Sequence, residues 1–207
     1  MGDYTSLEDI KQNIYYRLRQ HAEVYGIDIN VEGIKYLLNL GCKCQVLNAA
    51  NLDQLREGKF DVVLLGDIFE HMPDPAAFLS KVRLCLHPNG VVIVTTPNAL
   101  HYLNAISVFW GRSITRRQHT AWFCSVTLRN MFRFAGYAQE KILFLNYWDD
   151  LLRPGRRNLP RLLRFIIERV LLSMRPELSP CLMGIYRVDE EFNASFVERV
   201  YRERWHP

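Results

Sequence analysis

The 207-residue sequence lacks the cysteine spacing that marks a disulfide framework or a zinc site. Its cysteines are odd in number, none of them forms a C-x-x-C pair, and no signal peptide precedes them. They are Cys42, Cys44, Cys85, Cys124 and Cys181. This usage predicts reduced thiols and a cytoplasmic location, because disulfides persist mainly in oxidising compartments.

The sequence also lacks a large net charge and long uninterrupted apolar runs. The formal net charge of +4 is too small to indicate a nucleic-acid partner, and none is expected. The most apolar stretch, residues 159–174, is interrupted by Arg161, Arg164, Glu168 and Arg169, which excludes a membrane span there. No internal repeat or low-complexity tract is present. With 49% hydrophobic and 23% charged residues, the composition predicts a globular domain with a substantial core.

The rest of the chain is organised around residues 59–71. Residues 60–65 are apolar apart from Asp61, which is long enough for a buried strand and too short for a helix. Gly66 and Asp67 end this run. We therefore predict a strand in the middle of a sheet. Since ligands bind at the carboxyl ends of parallel strands, residues 66–71 are expected on the rim of a binding crevice.

Strand and helix patterns alternate on both sides of this stretch. Strands are predicted at residues 23–29, 44–47 and 91–95, and helices at 31–39 and 76–86; residues 87–90 read as a turn in which Gly90 has a positive φ. This alternation predicts an α/β fold with a parallel sheet. The remaining predicted elements are helices at 6–20, 99–110, 127–135 and 190–205 and strands at 141–148 and 181–188.

Two polar residues follow predicted strands at positions suited to a nucleoside. Asp28 lies at a strand tip, where a carboxylate can accept hydrogen bonds from ribose hydroxyls; it can equally cap the next helix. Asn48 follows the next strand among small residues, where its amide can bond the edge of a base. The simpler interpretation of Asn48 is an asparagine-rich turn.

Four blocks of sequence carry a resemblance to a known family. They are VYGIDIN at 24–30, FDVVLLGDIFEH at 60–71, LHPNGVVIVTTPN at 86–98, and Trp122-Phe-x-x-x-Thr-Leu128 followed by FAGY at 134–137. In order and spacing they resemble class I S-adenosylmethionine-dependent methyltransferases, and are most similar to the small-molecule O-methyltransferases related to ubiquinone biosynthesis. The resemblance covers residues 2–146. A nicotinamide dehydrogenase fits the same blocks less well.

The resemblance implies a Rossmann-like sheet flanked by helices, with an antiparallel hairpin at its C-terminal end. It also implies S-adenosyl-L-methionine as cofactor and a small hydroxyl or amine as methyl acceptor. By the same resemblance, Asp28 binds the ribose hydroxyls and Ile29 packs on the adenine. The implied contacts to the adenine edge come from Asn48 and Ala49, and those to the methionine side from Gly66 and Asp67.

One part of the family pattern is missing. The family opens with a strand and a glycine-rich loop of the type G-x-G-x-G, whose backbone amides lie against the cofactor. Only Gly2 and Asp3 stand at a suitable distance from Asp28, with 28 − 2 = 26 positions between the glycine and the aspartate. We expect the chain to start at the tail of this loop, without the first strand. The neighbouring strands would then close up, or another strand would fill the gap.

Two functions follow from this pattern. The first is an active methyltransferase; the alternative is a catalytically inactive methyltransferase-like binding or scaffold protein without cofactor. Methyl transfer requires a positioned acceptor and removal of its proton. His71 and His119 are the candidate catalytic residues, because histidine exchanges protons near neutral pH; each can equally be a structural histidine. No metal-ligand spacing appears, so no metal is expected.

The segment from residue 151 to 175 combines an apolar helical pattern with seven arginines and a single acid, Glu168, a local charge of 7 − 1 = +6. Such a helix indicates a membrane surface, an anionic substrate or an acidic partner, and suggests a lipid- or saccharide-linked acceptor. The alternative is a lid helix packed on the domain with solvated arginines. The arginines are Arg153, Arg156, Arg157, Arg161, Arg164, Arg169 and Arg175.

The predicted organisation has three parts. Residues 1–150 form the methyltransferase-like core, residues 151–180 form a basic amphipathic lid or membrane-facing insertion, and residues 181–207 supply the last strand and a C-terminal helix of the same domain. The expected location is the cytoplasm, peripheral to a membrane if the basic helix binds lipid.

Overall fold

The computed structural model describes residues 14–112, 116–146 and 159–189, with backbone only at residues 159–162 and 164. The chain divides into two compact units, Met1–Gly58 and Lys59–Pro207. Residues 6–13 of the helix predicted at 6–20, the helix predicted at 190–205, and Gly2 and Asp3 lie outside the described residues. The predicted division at residues 150 and 180 stays a prediction.

The described part of the first unit, residues 14–58, contains a two-stranded parallel sheet and two α-helices. Helix α1 (Ile14–Leu18) is followed by β1 (Tyr25–Asp28), α2 (Val31–Asn39) and β2 (Lys43–Val46), and a 3₁₀ helix spans Ala49–Gln54. Ile34 from α2 is buried against Cys42 and Cys44, with Tyr15 packed beside them. The Tyr15 hydroxyl donates to the carbonyl oxygens of Val24 and Lys43, which fastens α1 to the sheet.

The second unit is built on a four-stranded sheet in the order β3-β4-β6-β5. Its strands are β3 (Phe60–Gly66), β4 (Leu86–Pro97), β5 (Tyr137–Leu145) and β6 (Cys181–Val188). Strands β3 and β4 are parallel, whereas β6 is antiparallel to both β4 and β5. The predicted C-terminal antiparallel hairpin is therefore confirmed. Its strand β6 lies between β4 and β5, and β5 forms the edge of the four-stranded sheet.

Within the described residues, four helices join these strands. They are α3 (Pro75–Leu84), α4 (Tyr102–Phe109), α5 (Ser125–Phe134) and α6 (Leu159–Met174), and short 3₁₀ turns span Phe69–His71 and Pro176–Leu178. Asp74 caps α3, accepting the N–H of Ala77 at 2.9 Å. Gly136, with φ 81°, follows α5 in the left-handed conformation that ends a helix. None of the described helices is long and apolar enough to cross a membrane.

Strand β3 does not occupy the position predicted for it. Within the described residues it pairs with β4 alone, so it forms an edge of the four-stranded sheet. Val62 on this strand is half exposed. An apolar run shows that a strand is suited to burial, but it does not show how many neighbours the strand has. The expected closing up of the neighbouring strands, or the filling of the gap by another strand, stays a prediction.

The segment predicted as a turn at residues 87–90 is instead a bulge within β4. The register passes from Phe60↔Leu86 to Val62↔Val91, so extra residues of β4 bulge from the ladder. Gly90 does not have a positive φ, and the prediction of one was wrong. A Cβ at Gly90 would lie 2.8 Å from Leu86 Cδ2 and 3.0 Å from the Phe60 carbonyl oxygen. The glycine is needed for this close approach, not for a turn.

Candidate functional site

Asp28 and Ile29 stand at the carboxyl end of β1, as predicted. The Asp28 carboxylate is exposed, and its Oδ1 accepts the N–H of Asn30 at 2.7 Å. Asn30, not Asp28, caps α2, because the Asn30 side chain accepts the N–H of Gly33. Among the described residues Oδ2 of Asp28 has no partner, so it can accept a further hydrogen bond. The Ile29 side chain beside it is 63% exposed, which leaves an apolar surface available to a planar ring.

Asn48 and Ala49 stand at the same edge of this two-stranded sheet. Parallel pairing of β1 with β2 sets Asp28 opposite Val46, and the Leu47 N–H donates to the Asp28 carbonyl at 3.0 Å. Asn48 Oδ1 accepts the N–H of Ala50, which is the asparagine-turn arrangement that the sequence left open. Its amide NH₂ stays exposed, whereas Ala49 is buried.

Gly66 and Asp67 end β3 in the second unit. Asp67 has φ 47°, the one left-handed conformation of a non-glycine residue in the described chain. It is held there by Thr95 on β4: the Asp67 N–H donates to Thr95 backbone and hydroxyl oxygens, and the Thr95 hydroxyl donates to Asp67 Oδ1 at 3.0 Å. No atom lies within 4 Å of a Cβ placed on the exposed Gly66. Strained backbone beside open space is common where a ligand binds.

The two candidate histidines come together beside a buried glutamate. The His71 and His119 rings are 4.9 Å apart and meet edge to face. His71 Nδ1 is 3.0 Å from the Gln118 carbonyl oxygen, a contact in which Nδ1–H donates and Nε2 is left as an acceptor. Glu70 is 2% exposed, and its Oε2 accepts the Thr96 hydroxyl. Ligand atoms of these three residues all lie within 4.8 Å of one another.

This cluster has the composition of a metal site. Burial raises the pKa of the Glu70 carboxyl, which favours its neutral form over the carboxylate that a metal requires. Hydrogen bonds to Gln118 and Thr96 already engage the cluster. The sequence-based prediction of no metal stays a prediction. Spacing alone does not detect the cluster, because its ligands come from two distant segments.

Glu70 and Phe69 differ from the sequence prediction in one respect. Both were expected on the rim of a crevice, yet Phe69 is fully buried and its ring stacks on Phe123 at 4.9 Å between centroids. The Glu70 backbone carbonyl accepts the N–H and hydroxyl of Thr120. Burial of this turn fixes the backbone of both segments, which is what brings His119 to His71.

His119 also lines a pocket of about 170 Å³ in the second unit. The residues that line it include Trp122, Arg116, Asn98 and Asn104. Asn98 is 2% exposed, and its amide donates to the carbonyl oxygens of Glu177 and Ser179. Aromatic, cationic and amide groups together suit a small polar ring or an anionic group. Sequence reasoning missed Asn98, whose only signal was its position after a strand.

The chain is similar in sequence to known methyltransferases. The family described as "Methyltransferase domain" matches residues 13–142. A ubiquinone biosynthesis O-methyltransferase of Psychrobacter arcticus is 30% identical over 143 residues, which is 62% of this chain and 56% of that protein. The corresponding protein of Thiobacillus denitrificans is 27% identical, over 61% of this chain and 60% of its own length. The chain thus spans somewhat over half of these relatives.

A solved structure gives the same result for the fold. The crystal structure of a SAM-dependent methyltransferase from Archaeoglobus fulgidus aligns with a TM-score of 0.56 at 20% identity, covering 84% of this chain and 80% of that one. The fold is therefore the α/β, Rossmann-like fold of class I S-adenosylmethionine-dependent methyltransferases. Within that class, this chain belongs to the methyltransferase domain family that its residues 13–142 match. The cofactor of the class is S-adenosylmethionine.

Proposed function

We propose that this protein transfers a methyl group from S-adenosylmethionine to a hydroxyl or amine of a small molecule. The observation that carries the proposal is the pairing of His71 with His119 beside the pocket that His119 lines. The relatives named ubiquinone biosynthesis O-methyltransferase support a hydroxyl acceptor over an amine. A lipid- or saccharide-linked acceptor belongs to the same proposal and rests on the basic composition of residues 151–175.

The residues present suit the cofactor. Asp28 offers a free carboxylate oxygen for the ribose hydroxyls, and the exposed Ile29 offers an apolar contact for adenine. Asn48 has an exposed amide for the adenine edge, next to the small Ala49. We assign the methionine side to Gly66 and Asp67 because a Cβ placed on Gly66 would meet no atom within 4 Å. When bound, the cofactor supplies an electrophilic methyl group on a sulfonium.

The histidines would accept the proton that the acceptor loses. The cofactor would supply the methyl group for a new bond to the acceptor oxygen or nitrogen, with its sulfur–methyl bond broken and a neutral thioether left. The acceptor's proton must then pass to a base. Nε2 of His71 is suited to this because Nδ1–H is committed to the Gln118 carbonyl. His119, on the pocket wall, is suited to orienting the acceptor or relaying its proton.

The first test is cofactor binding by the whole chain. Isothermal calorimetry with S-adenosylmethionine and S-adenosylhomocysteine should show binding that Asp28→Ala weakens by about 1 to 3 kcal/mol, the cost of losing a charged hydrogen bond. Glu32→Ala, which removes an exposed acid from α2, is the matched control and should bind normally. Equal affinity in Asp28→Ala would reject the ribose role. No binding by a folded chain would favour the scaffold alternative.

The second test measures turnover against a panel of phenols, catechols and amines by release of S-adenosylhomocysteine. His119→Gln and His71→Gln should each lower the rate about a hundredfold or more while cofactor affinity stays unchanged, since general-base groups contribute effects of that size. His87→Gln, an exposed histidine in the β4 bulge, is the control. Full turnover in both His71 and His119 variants would refute the catalytic assignment.

A further inference from the structure

Helix α6 (Leu159–Met174) presents a stripe of large aliphatic side chains that no part of the described chain covers. Their exposed fractions run from 51% to 74%, and they recur at helical spacing, three, four, seven and eleven positions from the first. The stripe consists of Leu163, Ile166, Ile167, Val170 and Met174. A helix packed only as a lid would turn such a stripe inward.

The opposite face of α6 is buried against the rest of the second unit. Glu168 and Leu172 are 6% and 5% exposed. Leu172 is two positions from both Val170 and Met174, and residues two apart on an α-helix point in nearly opposite directions. The helix is thus anchored by one face and exposes the apolar stripe on the other. Packing of the domain therefore does not explain the stripe.

The charge of residues 151–175 indicates which kind of partner surface can cover the stripe. Residues 151–175 contain seven arginines and one acid. That acid, Glu168, is buried and accepts a hydrogen bond from the Tyr102 hydroxyl, so its charge is withdrawn from the surface. Arg169 and Arg175 are exposed beside the stripe. An apolar stripe in a segment whose exposed charge is cationic complements an anionic lipid surface.

We propose that the α6 stripe docks the protein on an anionic membrane surface, with the helix lying in the plane of the interface. A helix of sixteen residues is about 24 Å long. Lying flat, it would insert its aliphatic side chains among the acyl chains while the arginines contact lipid phosphates. A second copy of this chain is disfavoured, because pairing two such segments would bring their arginines together.

The experiment is co-sedimentation of the full chain with phosphatidylcholine vesicles that contain or lack phosphatidylserine. We expect binding to the anionic vesicles at low salt and loss of binding near 1 M salt, where the Debye length is about 3 Å. Ile166→Ser with Val170→Ser should weaken partitioning about tenfold or more, since two buried aliphatic groups are lost. Arg169→Gln with Arg175→Gln should weaken it about fivefold for each arginine.

The matched control is Leu84→Ser, which removes a 74% exposed aliphatic side chain at the end of α3 and should bind as the wild type does. Absence of binding to anionic vesicles at low salt would overturn the proposal. So would a dimer in sedimentation velocity that the stripe variant dissociates, since a second copy would then be the occupant. Vesicle binding needs no cofactor, so its failure is distinct from failure of the methyltransferase assignment.

Discussion

At the scale of single residues, two tyrosines in the core of the second unit differ in one bond. Tyr137 and Tyr186 are both buried, at 1% and 0% exposure, and both contact the Phe132 ring. The Tyr137 hydroxyl donates to the Leu79 carbonyl at 2.8 Å. The Tyr186 hydroxyl has no hydrogen-bond partner among the described residues. Comparing the two therefore separates the cost of burying a hydroxyl from the stabilisation that its hydrogen bond provides.

We predict that Tyr137→Phe lowers the free energy of unfolding by about 1 kcal/mol, because it removes a hydrogen bond and leaves the Leu79 carbonyl without that donor. Tyr186→Phe should leave stability unchanged or raise it by about 1 kcal/mol, because it removes a buried polar group that has no partner. Urea denaturation at pH 7 measures both. A loss in Tyr186→Phe as large as in Tyr137→Phe would show that its hydroxyl is satisfied.

At the scale of elements, the β4 bulge depends on one small residue. We predict that Gly90→Ala lowers the free energy of unfolding by about 1 to 3 kcal/mol, as overpacking of a buried site does, because the new methyl would press on Leu86 and on the Phe60 carbonyl. Gly58→Ala is the control, since its Cβ would meet nothing within 4 Å. Thermal and urea unfolding compare the two. Equal stability of both variants would mean that β4 can shift to accommodate a side chain.

Elements whose ends are marked by capping residues, glycine or proline were predicted well from the sequence. Helix α2 and strand β6 have the predicted bounds, because Asn30 and Gly41 mark the ends of the helix and Cys181 follows a proline. The β4 bulge was not predicted, because Pro88-Asn-Gly90 has the composition of a turn and only pairing with β3 decides between the two. Side-chain composition reports local preference, whereas register is set between distant segments.

The candidate site shows the same division. The roles predicted for Asp28, Asn48, Gly66 and Asp67 rest on positions at or just after the end of a strand, and the structure has strands ending there. The proximity of His71 to His119 and the burial of Glu70 depend on how the 116–122 segment folds over the Phe69–His71 turn. No periodicity or spacing in the sequence carries that information.

At the scale of the whole molecule, the buried tyrosines set a limit on stability at alkaline pH. Burial raises the pKa of both Tyr137 and Tyr186 above the ordinary tyrosine value. The unfolded chain therefore loses these protons first as pH rises, and stability present below about pH 10 is lost above it. Each tyrosine contributes a slope of up to about 1.4 kcal/mol per pH unit.

We predict that the free energy of unfolding falls more steeply between about pH 9.5 and 11 in the wild type than in a Tyr137→Phe/Tyr186→Phe double variant. Subtracting the two profiles removes the contribution of lysines and exposed tyrosines. Urea titrations at a series of pH values provide the measurement. Parallel profiles would show that the two hydroxyls ionise in the fold as readily as in the unfolded chain.

The hairpin of β5 and β6 has a consequence for how this chain can diverge. Leu145 pairs with Cys181, so the strands meet where residues 146–180 leave and re-enter the sheet. The hydrogen bonds between β5 and β6 hold the two ends of this excursion together, whatever its length or composition. Substitution, lengthening or shortening of the excursion can therefore accumulate over generations without breaking the sheet. The excursion can thus evolve as a separate surface on an unchanged sheet.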